Sequence, residues 1–228
     1  MTDHDALLRF HRDLVETPSV SHEEGPIADF VAHWLSSRGA SVERIGDNVL
    51  ARAGSGPGLV LCSHLDTVPA TDAWSRDPFE VQREEDRIYG LGSNDAKASV
   101  AAMTFAFLDV LERGGPCEVA LLLVPEEETG GDGAEVSWPH LKATGFETRG
   151  VVVGEPTALE IATSQKGMLI LELTARGDAC QRERRGDRCA ERRPRAGEGH
   201  RGARRSRPRS GASAAWQDDP RADAHPSW

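Results

Sequence analysis

Residues 178–228 of this chain contain no valine, isoleucine, leucine, methionine, phenylalanine or tyrosine. Apart from alanine, two cysteines and two tryptophans, that stretch carries nothing whose burial offsets the entropy of ordering a chain, so it is expected to stay disordered. Long apolar runs are missing too. The longest, Val119 to Val124, falls far short of the roughly 20 residues that span a bilayer, which excludes a membrane protein of the helical kind. The opening Met1-Thr2-Asp3-His4-Asp5 is acidic where a secretory signal is basic and then apolar, so a soluble, cytoplasmic protein is the expectation. Cysteine is scarce: Cys62, Cys117, Cys180 and Cys189 have neither zinc-ribbon nor redox spacing, and no disulfide framework is expected.

What is present divides near Gly177. Residues 1–177 hold 14 Lys/Arg against 29 Asp/Glu, while 178–228 hold 13 Arg against 8 Asp/Glu. The composition therefore predicts a folded domain over 1–177 and a disordered Arg-rich tail over 178–228. An acidic domain argues against nucleic acid as its partner. The tail supports a reading from another class, a non-catalytic binder of RNA or another polyanion, whose association would depend steeply on salt. It has neither an RGG-like repeat nor interleaved aromatics, however, so nucleic acid is not the expected partner.

Hydrophobic spacing organises the first 177 residues. Leu7, Leu8, Leu14 and Val15 predict one helix, and Ile27, Phe30, Val31, Trp34 and Leu35 a second that ends by Gly39. Extended segments follow at Ser41 to Ile45, Asn48 to Ala53 and Leu59 to Ser63. The Gly54-Ser-Gly-Pro-Gly58 turn reads as a hairpin connection between the last two. Ala96 to Glu112 reads as a helix and Glu118 to Val124 as a strand. A shorter helix is expected over 131–144, broken or kinked by Pro139. Gly150 to Val153 and Met168 to Thr174 read as further strands, the first of them buried. This alternation predicts an α/β fold, a mostly parallel or mixed sheet with helices on both faces. Ligands in such sheets collect at the carboxyl ends of the strands.

Chemistry-bearing residues fall at those ends. One strand runs into His64-Leu65-Asp66, and the turn Tyr89 to Asn94 delivers Asp95 just ahead of a helix. The strand closing at Val124-Pro125 delivers Glu126, Glu127 and Glu128, and Val151 to Val153 delivers Gly154-Glu155. Imidazole and carboxylate are ligands that suit zinc, and a carboxylate beside a histidine fixes the tautomer that coordinates metal. Taken singly these signals are weak: a strand-end His near an Asp is more often a polar surface pair, and three glutamates more often a solvated loop. Four such sets at four element ends say more than any one.

In order and approximate spacing, Leu61 to Pro69, Gly90 to Lys97, Pro125 to Gly130 and Gly154 to Thr157 resemble the metal motifs of the zinc aminoacylase and carboxypeptidase G2 family. The resemblance covers about 4 to 176 and is nearest the acetylornithine deacetylase and succinyl-diaminopimelate desuccinylase branch. It implies two Zn2+ ions, with Co2+ as a substitute, bridged by Asp95. His64 and Glu155 would complete one ion's protein ligands and Glu128 would bind the other. Glu127 would be the general base and Asp66 would orient His64; Glu126 stands where the family usually has Asp. A cis peptide at Asp95-Ala96 is implied as well. The implied reaction is hydrolysis of the amide bond of a small N-acyl amino acid. N-acetylornithine is favoured by Gly-Leu-Gly-Ser-Asn-Asp, and desuccinylation and general aminoacylase activity are the neighbouring readings.

Family members continue past the point matching Arg176 into a lid and homodimerisation domain, then return with a final histidine for the second zinc. This chain has no such return, so the resemblance implies a truncated form, weakly active or inactive, and residues 178–228 read as the product of a shifted reading frame. His200 and His225 are the only histidines after Gly177, and neither adjoins a predicted strand. A ligand needs a scaffold, so neither is expected to replace the missing histidine.

Overall fold

A computed structural model describes residues 3–115 and 117–164, all within one compact unit. The expected strand Met168 to Thr174, the tail 178–228, and His200 and His225 lie outside the described residues. Asp3 opens α1 (His4–Glu16) by accepting the Ala6 N–H at 3.0 Å, which satisfies one of the free amides at a helix start. Phe10, Leu14 and Val15 on its inner face are buried. Pro26 stands in the first turn of α2 (Gly25–Ser36), where its missing N–H costs no hydrogen bond, and Ile27, Ala28, Val31 and Leu35 form the buried stripe.

Five strands make one mixed sheet: β1 (Val42–Ile45), β2 (Asn48–Ala53), β3 (Gly58–His64), β6 (Val119–Val124) and β7 (Thr148–Val153). A separate two-stranded ribbon, β4 (Gln82–Glu84) and β5 (Arg87–Tyr89), turns at Glu85-Asp86 with none of the glycine or asparagine that marks such hairpins, so sequence reasoning missed it. Spatial order in the large sheet is β1-β2-β6-β3-β7. β6, buried at every residue, is central: antiparallel to β2 and parallel to β3, which is in turn parallel to β7.

This order corrects the hairpin expected across Gly54–Gly58. β2 and β3 do not pair; the wholly apolar β6 gains most by lying between them, and the glycine turn carries the chain over its start. A side chain at Gly54 would lie 2.5 Å from the Cys117 carbonyl oxygen, and its φ of +87° favours glycine. The true hairpin joins β1 to β2.

Side chains alternate along β6, and each face is covered. Leu121 and Leu123 join Val49, Ala51, Phe10, Leu14, Val31, Val100 and Phe107 in a core beneath α1, α2 and α3 (Lys97–Arg113). Ala120, Leu122 and Val124 join Leu50, Val60, Leu141 and Phe146 in a second core beneath α4 (Asp132–Ala143). Helices thus lie on both faces, as expected. Pro139 does not break α4, which continues through it to Ala143. The expectation of a buried Gly150–Val153 strand fails. Among the described residues β7 lies at the end of the strand order, with Val151, Val152 and Val153 exposed by 46%, 48% and 59%. No helix among the described residues is long and apolar enough to cross a membrane.

Candidate functional site

Because β3, β6 and β7 are parallel and in register, their carboxyl ends reach the same edge of the sheet. His64 pairs with Val124, and Cys62 with Val153. His64 thus sits beside the exits that lead to Glu126–Glu128 and to Glu155. The fourth contributor arrives from outside the sheet. The Gly90–Asn94 turn sets Asp95 just before α3, held by the Lys97 N–H on the Gly92 carbonyl at 3.1 Å. Gly92 has φ +74°, and a Cβ there would lie 2.5 Å from Thr67 Cγ2, so only glycine lets this turn close against the β3 exit. The Asp95-Ala96 peptide is cis.

His64, Asp95 and Glu155 offer one donor atom each, all within 4.8 Å of one another. His64 Nε2 lies 3.0 Å from Asp95 Oδ1 and 3.9 Å from Glu155 Oε2. On the other side of the ring, Nδ1 lies 3.1 Å from the Asp66 carbonyl oxygen and 3.3 Å from Asp66 Oδ1. Both acceptors select the tautomer with hydrogen on Nδ1 and leave Nε2 facing the carboxylates. His64 and Asp66 are 1% and 0% exposed, whereas Asp95 and Glu155 are partly open to solvent.

Asp66 does more than orient the imidazole. Its Oδ1 accepts the Glu127 N–H and its Oδ2 the Glu128 N–H, each at 3.1 Å, and Oδ2 also accepts the Ser21 hydroxyl at 2.8 Å. The turn that directs two consecutive glutamates is made where Glu126 takes φ +64° and its carbonyl accepts the N–H groups of Gly130 and Gly131. Two residues of this turn are left-handed, Glu126 and Gly131, the latter at φ +77°.

Charge confirms the crowding. Burial raises the Glu128 carboxyl above its usual range, with Asp95 adding to it, and burial raises Glu155 likewise, with Glu127, Asp95 and Glu128 adding to it. Burial would lower His64, but hydrogen bonds to Asp66 and Asp95 and the charges of Glu155 and Asp66 raise it to about 9. Asp66 resists burial through bonds from His64, Ser21 and the two amides, and is lowered. One imidazole among carboxylates that raise each other's pKa is a donor set that fits a divalent cation, with an Nε2 proton occupying the place of the charge. Two surface cavities, about 310 Å³ beside Leu8 and Arg83 and about 450 Å³ beside Arg38 and Leu108, are lined by none of these residues.

The profile of the peptidase family M20/M25/M40 matches residues 60–220, a span that takes in all four motifs and runs past residue 176, where the motif resemblance ends. The chain belongs to this family. A probable carboxypeptidase of Aspergillus terreus is 40% identical over 191 residues, covering 75% of this chain and 43% of the relative. A probable carboxypeptidase of Aspergillus flavus is 39% identical, with 75% and 44% covered. The chain therefore spans less than half the length of these relatives. Among solved structures, human carnosine dipeptidase 1 superposes with a TM-score of 0.58 at 22% identity, over 66% of this chain and 38% of that one. An M20 family metallo-carboxypeptidase of Sulfolobus solfataricus gives 0.55 at 23% identity, over 65% and 37%. These two likenesses show a shared fold.

Sequence reasoning missed the residues that brace the site. Lys97, fully buried, donates from Nζ to the Thr17 carbonyl at 3.0 Å, and burial lowers its ammonium to about 8. His11 Nε2 meets the Ser93 carbonyl at 2.7 Å. Ser19 donates to the Leu65 carbonyl and Glu24 accepts the Glu126 N–H. No local pattern marks these contacts, because the partners lie 46 to 102 residues away.

Proposed function

We propose that this chain carries the metal-site portion of a metal-dependent hydrolase that cleaves the amide bond of a small peptide or N-acyl amino acid. The observation that carries the reading is the convergence of His64, Asp95 and Glu155 at one sheet edge. Zn2+ is the metal proposed, with His64, Asp95 and Glu155 holding one ion and Asp95 with Glu128 contributing to a second. Bound there, such ions would supply Lewis acidity that polarises a substrate carbonyl and acidifies water.

The chain's own residues divide the remaining work. Glu127, exposed at the mouth of the cluster, takes a proton from the attacking water and returns it to the departing amine. Asp66 keeps hydrogen on His64 Nδ1 and holds the amides of Glu127 and Glu128, so base and ligand enter the site together. The acidic surroundings favour a cation over a second anion at the centre.

Substrate choice has two supports that differ. Relatives carrying the name carboxypeptidase favour a peptide with a free terminal carboxylate, whereas Gly90 to Asp95 resembles the deacetylase form and favours N-acetylornithine. Desuccinylation and general aminoacylase activity are neighbours of the second. The composition break supports reading 178–228 as an out-of-frame tail outside the catalytic domain 1–177, and the family match that continues to residue 220 weighs against it. A homodimer in the cytoplasm remains part of the proposal through the resemblance alone.

The deciding experiment titrates the metal-free chain with Zn2+ and Co2+ and assays dipeptides, N-acetylornithine and N-succinyl-diaminopimelate beside a form in which the reading frame is restored after codon 177. Metal uptake that His64→Ala abolishes supports the site. Uptake unchanged in His64→Ala sinks it.

A further inference from the structure

Glu24 is 1% exposed and pairs with no cation among the described residues. It occupies the position that opens α2, where an acidic side chain ordinarily accepts an N–H of its own helix, yet it makes no such bond. Its Oε1 instead accepts the Glu126 N–H at 2.9 Å, across 102 residues of sequence. The next two amides are held in the same way, Glu127 by Asp66 Oδ1 and Glu128 by Asp66 Oδ2. Three consecutive backbone N–H groups therefore end on two buried carboxylates. Burying a carboxylate without a cation is costly; hydrogen bonds from the backbone of Glu126, Glu24 and His22 offset part of that cost, and burial still raises the Glu24 carboxyl above its usual range.

We infer that Glu24 is a positioning residue: with Asp66 it forms a two-carboxylate cradle that fixes the backbone of Glu126–Glu128 and so aims Glu127 and Glu128. The segment carrying it ties down the neighbouring exits as well. Ser19 accepts the Thr67 N–H through its carbonyl at 2.8 Å and donates its hydroxyl to the Leu65 carbonyl at 2.8 Å. Ser21 donates to Asp66, and the Thr17 carbonyl accepts from Lys97 at the head of α3. Thus the α1–α2 connector holds three loops that belong to β3, α3 and β6. Two connector residues reach the Glu127-bearing turn: His22, whose Nδ1 lies 3.4 Å from Glu126 Oε1, and Glu24, which holds its backbone. The Glu24 bond holds Glu126 in the left-handed conformation, φ +64°, that few non-glycine residues adopt unaided.

This inference rests on reading Glu127 and Glu128 as site residues. It is tested on the full chain, first metal-free, by amide exchange of the 124–131 segment followed by mass spectrometry. In Glu24→Ala the exchange of that segment rises about tenfold while the rest of β6 stays protected. Glu24→Gln retains an acceptor oxygen and restores most of the protection. Glu24→Asp keeps the charge but withdraws the oxygen by one methylene, and exchanges like Glu24→Ala; it decides the matter if the alanine variant does not fold. Cobalt titration gives the second readout: apparent affinity falls about tenfold in Glu24→Asp and recovers in Glu24→Gln, the scale typical of groups that orient ligands from behind. Unchanged exchange at 124–131 in the alanine and aspartate variants overturns the inference. Absence of cobalt uptake by the parent chain overturns the metal reading instead, and the exchange result still decides the role of Glu24.

Discussion

His64 is held as a charged imidazolium when no metal is bound, because Asp66 and Asp95 bracket it from both ring nitrogens. Its folded-state pKa of about 9 lies above the ordinary 6.5, so its contribution to stability is complete below about pH 6.5 and is lost as the pH rises through about 9. The raised carboxyls of Glu128 and Glu155 act in the same direction at lower pH. Denaturant midpoints of the metal-free chain should therefore fall from about pH 6.5 to about 8, above which the lowered ammonium of Lys97 acts in the opposite direction, and His64→Gln should flatten the fall. Metal uptake should strengthen over the same range, since the cation must displace the Nε2 proton. Asp66→Ala removes the carboxylate that accepts from Ser21 and two amides and pairs with His64, leaving the imidazole only the residue-66 backbone carbonyl; breaking a buried pair of this kind costs about 3–5 kcal/mol, readable as a drop in the unfolding midpoint.

Among the elements, β6 bears the most weight. Leu122 is 2% exposed between α4 and the sheet, so Leu122→Ala should cost about 2–5 kcal/mol by denaturant unfolding. Val152 on β7 looks equivalent in sequence but is 48% exposed, and Val152→Thr should stay within about 0.5 kcal/mol. A cost at Val152 comparable with that at Leu122 would mean that β7 is covered. The contrast shows why three valines in a row are a poor guide to burial. A continuous apolar run is compatible with the centre of a sheet or with its edge, and only strand order distinguishes them.

At the scale of the molecule, the chain spans 43% of the length of its Aspergillus terreus relative, and the catalytic reading concerns a whole protein of that larger kind. A cation held by His64, Asp95 and Glu155 would bind the folded chain alone, so excess Zn2+ should raise the denaturant midpoint of this chain and His64→Ala should remove the rise. A midpoint unchanged by Zn2+ would refute the metal reading.

Much was determined by local pattern. α1 and α2 follow from apolar periodicity, α3 from an Ala-rich stretch and β6 from a continuous apolar run, and the four motifs at element ends, through their resemblance to a family's metal motifs, single out His64, Asp66, Asp95, Glu127, Glu128 and Glu155 as the residues to watch. Periodicity reports which face of an element is apolar, and side-chain type reports what chemistry it can do; both are properties of neighbouring residues. Only the tertiary structure decided that β6 lies between β2 and β3, that β7 is exposed at the end of the strand order among the described residues, and that the β4–β5 ribbon exists. The same holds for Glu24, Lys97 and His11, whose partners stand 102, 80 and 82 residues away. Their pairing follows from the parallel register that brings three strand ends to one edge, and register is a balance of burial over the whole sheet rather than a property of any one strand.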